Sequence, residues 1–154
     1  MKRDPEHYMK EALKEARNAF DRDEVPIGCV AVHPVKGEIL SRASNRTIEM
    51  SDPTAHAEIL AIRKLCKEYG AQRIPEIDLY VTLEPCPMCA AAISYARLNH
   101  IYIGAIDPKS GGVLNGPKLY DFSAMHHKPG VSHGYLEADC ARIIRDFFKI
   151  KRQK

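Results

Sequence analysis

Apolar positions recur at helical spacing near the start of the chain: Tyr8, Ala12, Ala16 and Phe20, with Leu13 and Ala19 beside them. That is one buried face of an amphipathic helix. Asp4, Pro5 and Glu6 supply a cap, a residue of fixed φ in the first turn, and a negative charge at the positive end of the helix dipole. The period then shortens. Ile27–His33 and Gly37–Arg42 are β-rich runs around a turn at Pro34–Gly37, which predicts a hairpin. Residues 44–54 are polar and irregular. Asp52-Pro53-Thr54 predicts a second helix start, carried by Ile59, Ile62, Leu65 and Cys66 to about Tyr69 and stopped by Gly70.

Ile77–Leu83 has the pattern of a strand ended by Pro85, followed by a helix from about Cys86 to Arg97 and a strand at His100–Ala105. Two strands separated by one helix predict neighbouring parallel strands. Residues 107–129 show weak periodicity. A last helix is expected from about Leu136 to Lys151, with Leu136, Cys140, Ile143, Ile144 and Phe147 on one face. The whole pattern predicts a single α/β domain over residues 1–154, a central mixed sheet with helices on both faces.

Composition narrows the class. The chain has 154 residues, 45% hydrophobic and 28% charged, an ordinary globular balance that excludes disorder, collagen-like repeats and a disulfide mini-protein. The longest apolar runs, Ile27–Val32 and Met88–Ile93, are far shorter than the ~20 residues that span a bilayer. No apolar stretch follows the basic start, and five cysteines with one C-x-x-C suit metal or redox chemistry rather than a disulfide frame. A cytoplasmic protein without membrane association is expected. The formal charge is only +3, but residues 142–154 carry a net +5 and the rest of the chain −2.

Candidate chemistry concentrates in His56-Ala57-Glu58 and Pro85-Cys86-Pro87-Met88-Cys89, each at the start of an expected helix. Cys86 and Cys89 share one helical turn and can offer two sulfurs to one zinc ion, whose thiolate forms a helix N-terminus favours. His56 supplies a third ligand. Three protein ligands leave one position open for water, the mark of catalytic rather than structural zinc. Glu58 can reach that water without binding the metal, and a cation beside it is expected to lower its pKa and ready it as a base. The joint pattern H-x-E…P-C-x-x-C is the signature of zinc deaminases. A structural zinc site remains an alternative, with a fourth ligand from His100, His126, His127 or His133. Cys29, Cys66 and Cys140 are expected to be core residues.

Over nearly its whole length the chain resembles the bacterial tRNA-specific adenosine deaminases of the cytidine deaminase superfamily. The resemblance rests on Val25-Pro26-Ile27-Gly28, Asn45-Arg46, residues 52–58, residues 79–86, the Asp107-Pro108-Lys109 region and Asp146-Phe147-Phe148. It implies a three-layer α/β/α sandwich around a mixed five-stranded sheet, one Zn2+ per subunit, a homodimer, and hydrolysis of wobble adenosine in a tRNA anticodon stem-loop to inosine. It also implies that Asn45 hydrogen-bonds the flipped base and that Val25, Pro26, Ala57, Leu83 and Glu84 line the nucleotide pocket. Asp107 and Lys109 match a loop that touches the flanking nucleotides. Lys151 and Arg152 in the basic terminus are candidate RNA contacts. Phe148 is another, although core packing beside Phe147 is the plainer use. Gly111–Met125 is longer than the matching loop of the best-known bacterial members. Two other functions share these residues: a zinc deaminase of a free base or nucleoside such as guanine, cytosine or cytidine, and a non-catalytic zinc- or RNA-binding module.

Overall fold

The computed structural model describes residues 1–153; Lys154, one of the charges in the basic terminus, lies outside the described residues. Helix α1 (Pro5–Asp21) begins at Asp4, whose carboxylate accepts from the His7 N–H at 3.0 Å, and it buries Tyr8, Met9, Ala12, Ala16 and Ala19. Strands β1 (Gly28–Val32) and β2 (Ile39–Ser44) form the expected antiparallel hairpin, with a bulge between Ala31 and Val32. Helix α2 (Ala57–Tyr69) starts four residues later than a cap at Asp52 predicts. The Asp52 carboxylate accepts from the N–H and hydroxyl of Thr54 and closes a local turn instead, leaving His56 as the N-cap. Its buried face is Ala57, Glu58, Ala61 and Leu65, with Ile59 only half-buried.

Strand β3 (Asp78–Leu83), helix α3 (Pro87–Ala96) and strand β4 (His100–Ala105) follow as the pattern predicts, and β3 and β4 are parallel neighbours. A short 3₁₀ turn at Leu119–Asp121 and strand β5 (Gly130–His133), parallel to β4, occupy the segment of weak periodicity. Helix α4 (Glu137–Arg152) closes the fold. The sheet order is β2-β1-β3-β4-β5, mixed and open.

Alternation along the strands divides the core in two. Cys29, Ala31, Leu79, Val81, Ile101 and Ile103 point to one face and pack with Ala57, Ala61, Leu65, Ala90 and Ile93 of α2 and α3. Val30, Val32 and Tyr80 point to the other and pack with Tyr8, Met9 and Ala12 of α1 and Cys140 of α4. The result is the three-layer α/β/α sandwich. Cys29 and Cys140 are core residues as expected, while Cys66 is only half-buried, its thiol directed at the Gln72 carbonyl.

Helix α1 lies so close over β1 that a Cβ at Gly28 would run into the Ala12 carbonyl, the Ala16 amide and the Glu15 side chain. Backbone cannot yield as a side-chain tip can. Gly28→Ala is therefore expected to cost about 2–3 kcal/mol by overpacking, a fall in melting temperature of roughly 5–10 °C for a chain of this size. Thermal denaturation checks this, and an unchanged midpoint would refute the close α1–β1 packing.

Candidate metal centre and nucleotide cavity

The two expected ligand segments meet because both fall at helix N-termini on the same face of the sheet. His56 is the N-cap of α2 and Cys86 the N-cap of α3, and neither side chain is spent on capping. His56 Nδ1 lies 3.6 Å from the sulfurs of both Cys86 and Cys89. All three donor atoms fall within 4.8 Å of one another. Tetrahedral zinc with its usual bond lengths sets nitrogen and sulfur ligands about 3.5 Å apart, so spacing and donor chemistry both fit Zn2+. Among the described residues no other histidine joins the group. His100 contacts the Ser132 hydroxyl and His127 the Leu98 carbonyl, which removes them as a fourth ligand.

The thiols share their protons unequally. The Cys89 hydrogen bond pulls the Cys86 thiol down to about 4, burial opposes this, and His56 adds to the pull. The same bond and burial push Cys89 well above its ordinary value. His56 is raised, chiefly by Cys86.

Glu58 sits on the first turn of α2, 3% exposed. Burial raises its carboxyl to about 7, with the negative charge of Cys86 adding to the rise. The sequence predicts a lowered value from a bound zinc ion; among the protein's own groups, burial outweighs the lowering effect of His56. A carboxyl balanced near neutrality can both take and return a proton.

Asn45 is also buried. Its side-chain oxygen accepts from the Ala57 N–H at 2.9 Å, which fixes the amide, and Nδ2 has no partner among the described residues. Ala57 is fully buried in the core, so its side chain presents nothing to a ligand and its N–H holds Asn45.

A cavity of about 930 Å³ opens past the end of β3, with Leu83 in its wall; His56, Glu58, Cys86, Cys89 and Asn45 are not among its lining residues. Val25, Leu83, Asp107, Lys109, Phe148, Lys151 and Arg152 of the expected site all line it, together with Ile27, Ser110, Ile144, Arg145, Asp146 and Lys149. Phe148 is 42% exposed and leaves the core to Phe147, so core packing is not its use. Lys151 is tied to the Asp23 carboxylate at 2.6 Å. Pro26 and Glu84 are buried and do not line the cavity.

Sequence reasoning missed Glu24 and Arg22. The Glu24 carboxylate, 1% exposed, accepts from the N–H groups of Ile48 and Glu49 and from the Thr47 hydroxyl, organising the segment after Asn45. Arg22 donates to the Ser44 hydroxyl and the Asn45 carbonyl. Nothing in the sequence separates Glu24 from the solvated acids Asp21 and Asp23 beside it.

A profile of the family described as the cytidine and deoxycytidylate deaminase zinc-binding region matches residues 2–105. The chain belongs to this family, and its His/Cys/Cys group is the zinc site of the fold. Among individual proteins it is similar to the tRNA-specific adenosine deaminase of Agrobacterium fabrum, at 52% identity over 95% of both chains. It is similar to that of Bacillus subtilis at 43%, over 97% of this chain and 91% of the relative. A solved structure from studies of A-to-I editing by tRNA:A34 deaminases superposes with a TM-score of 0.86 at 52% identity, covering 89% of this chain and 98% of that one.

Metal analysis of purified variants checks the division of labour. Cys89→Ser is expected to hold well under one zinc per chain, whereas Glu58→Gln keeps one. A zinc-replete Cys89→Ser protein would remove Cys89 from the ligand set.

Proposed function

We propose that this protein hydrolyses adenosine at the wobble position of a tRNA anticodon loop to inosine and ammonia. The observation that carries the proposal is the open basic cavity whose wall includes Leu83, three residues before the zinc ligand Cys86. Lys109, Arg145, Lys149, Lys151 and Arg152 outnumber Asp107 and Asp146 around it, a net positive wall that suits a polyanion better than a small neutral base. Similarity to proteins named tRNA-specific adenosine deaminases supports the same substrate.

The base must leave its stack, which costs little in a single-stranded loop. Exposed Phe148 on the cavity wall offers a face for stacking. Asn45 Nδ2, aimed by the Ala57 N–H bond to its own oxygen, donates to an acceptor on the base. When bound, zinc supplies Lewis acidity that makes water a nucleophile near neutral pH. Glu58 takes the proton from the attacking water and delivers it to N1 of adenine. It then carries a second proton to the departing amine, so water and adenosine become inosine and ammonia. The work is cytoplasmic, as a tRNA substrate requires, and a single deaminase domain spans 1–154. The active species is a homodimer: Ile48 and Met50, 69% and 47% exposed on the segment after Asn45, are apolar surface that a second copy would cover. Light scattering at a mass of one chain would refute it.

The decisive assay offers an anticodon stem-loop with wobble adenosine beside free adenosine, cytidine and guanine. Inosine is expected in the stem-loop alone, and Glu58→Gln is expected to lose about 10²–10⁴ in rate; turnover of a free base or nucleoside instead would overturn the RNA reading. Lys149→Ala with Arg152→Ala is expected to raise KM and reduce the slope of log KM against log salt by about 1–1.5. An unchanged slope would leave these cations as helix-end charges only.

A further inference from the structure

Glu84 follows β3 directly, is 3% exposed, and does not line the cavity. Its Oε1 accepts from the Asp107 N–H at 3.0 Å and from Asn115 Nδ2 at 2.7 Å. Its Oε2 accepts from the N–H groups of Val113, Leu114 and Asn115 at 3.1, 2.9 and 3.0 Å. All five donors come from residues 107–115. Backbone bonds add to this: the Glu84 N–H donates to the carbonyl of Ala105 at the end of β4, and the Gly112 N–H, within the segment, to the Pro85 carbonyl. A Cβ at Gly111 would meet the Glu84 carboxylate and the Asp107 carbonyl, so the segment passes the carboxylate at a position free of any side chain. The cavity-facing side of this segment is Asp107, Lys109 and Ser110, and Asp107 Oδ1 accepts from the N–H groups of the latter two.

A loop with no ladder to pair with must still satisfy its N–H groups, and here three consecutive ones converge on a single buried anion. We infer that Glu84 is a positioning residue: its carboxylate is the internal template on which the 107–115 segment sets, holding Asp107 and Lys109 at the rim of the cavity without itself touching the substrate. The nucleotide-facing half of this inference rests on the RNA-deaminase reading above. The loop-setting half does not.

The test uses the full-length zinc-loaded protein. In Glu84→Gln, amide exchange at Asp107, Val113, Leu114 and Asn115 is expected to quicken about tenfold, with the amides of β3 and β4 unchanged and one zinc retained. KM for the wobble-adenosine stem-loop is expected to rise about tenfold while kcat stays within about threefold. Glu84→Asp, which keeps the charge but withdraws the carboxylate from the loop, is expected to give the same exchange pattern, and it decides the matter if Glu84→Gln does not fold. Unchanged exchange at the four amides, equal acceleration across β3 and β4, or loss of zinc overturns the assignment. So does a fall in kcat with KM unchanged. If the stem-loop is not turned over by the wild-type protein, the RNA reading has failed and the exchange pattern alone still decides the role of Glu84.

Discussion

Three donor atoms from two distant segments must converge on one ion, and the architecture is arranged around that requirement. His56 and Cys86 are both helix N-caps with extended backbone, His56 after a turn and Cys86 after a strand, and at Cys86 and Cys89 the helix dipole favours negative charge on the sulfurs. The parallel β3–β4 connection carries α3 over the face that α2 already covers, and the two N-termini meet there. In α/β sheets functional crevices open beyond the carboxyl ends of strands; here the ends of β3 and β4 lead directly into Cys86 and Asp107.

Buried carboxyls around this point behave differently because their neighbours differ. Glu58 faces the thiols and is pushed up toward neutrality by burial. Burial pushes Glu84 upward as well, yet the donors of Asp107, Asn115, Leu114 and Val113 outweigh it and hold Glu84 below the usual carboxylate range. Burial lifts one group, while hydrogen-bond donors from a single loop hold the other down. This is the environment-driven separation of roles by which a single fold runs acid and base chemistry.

The charge of the chain also acquires a place. Of the basic residues on α4, Arg145, Lys149, Lys151 and Arg152 line the cavity beside Asp146, while Arg142 pairs with Asp139 away from it. The pairing of Lys151 with Asp23 ties this helix end to the segment just before Val25. Part of the basic character therefore fastens the cavity wall, and part faces what enters it.

Periodicity and spacing by themselves determined where the helices and the first four strands fall, the parallel β3–β4 pair and the candidate group of His56, Cys86 and Cys89, because these depend on residues close in sequence or on side-chain chemistry that few other arrangements use. β5 was not legible from its four residues, and only the resemblance implied a fifth strand; its partner β4 defines it. The pattern places the start of α2 too early because the Asp52–Thr54 turn imitates a helix cap. Which acids are buried, that Phe148 leaves the core while Phe147 fills it, and that Glu84 serves a loop thirty residues away were decided by tertiary packing alone. Burial and long-range hydrogen bonding are properties of what the chain folds against, and a sequence pattern carries no record of them.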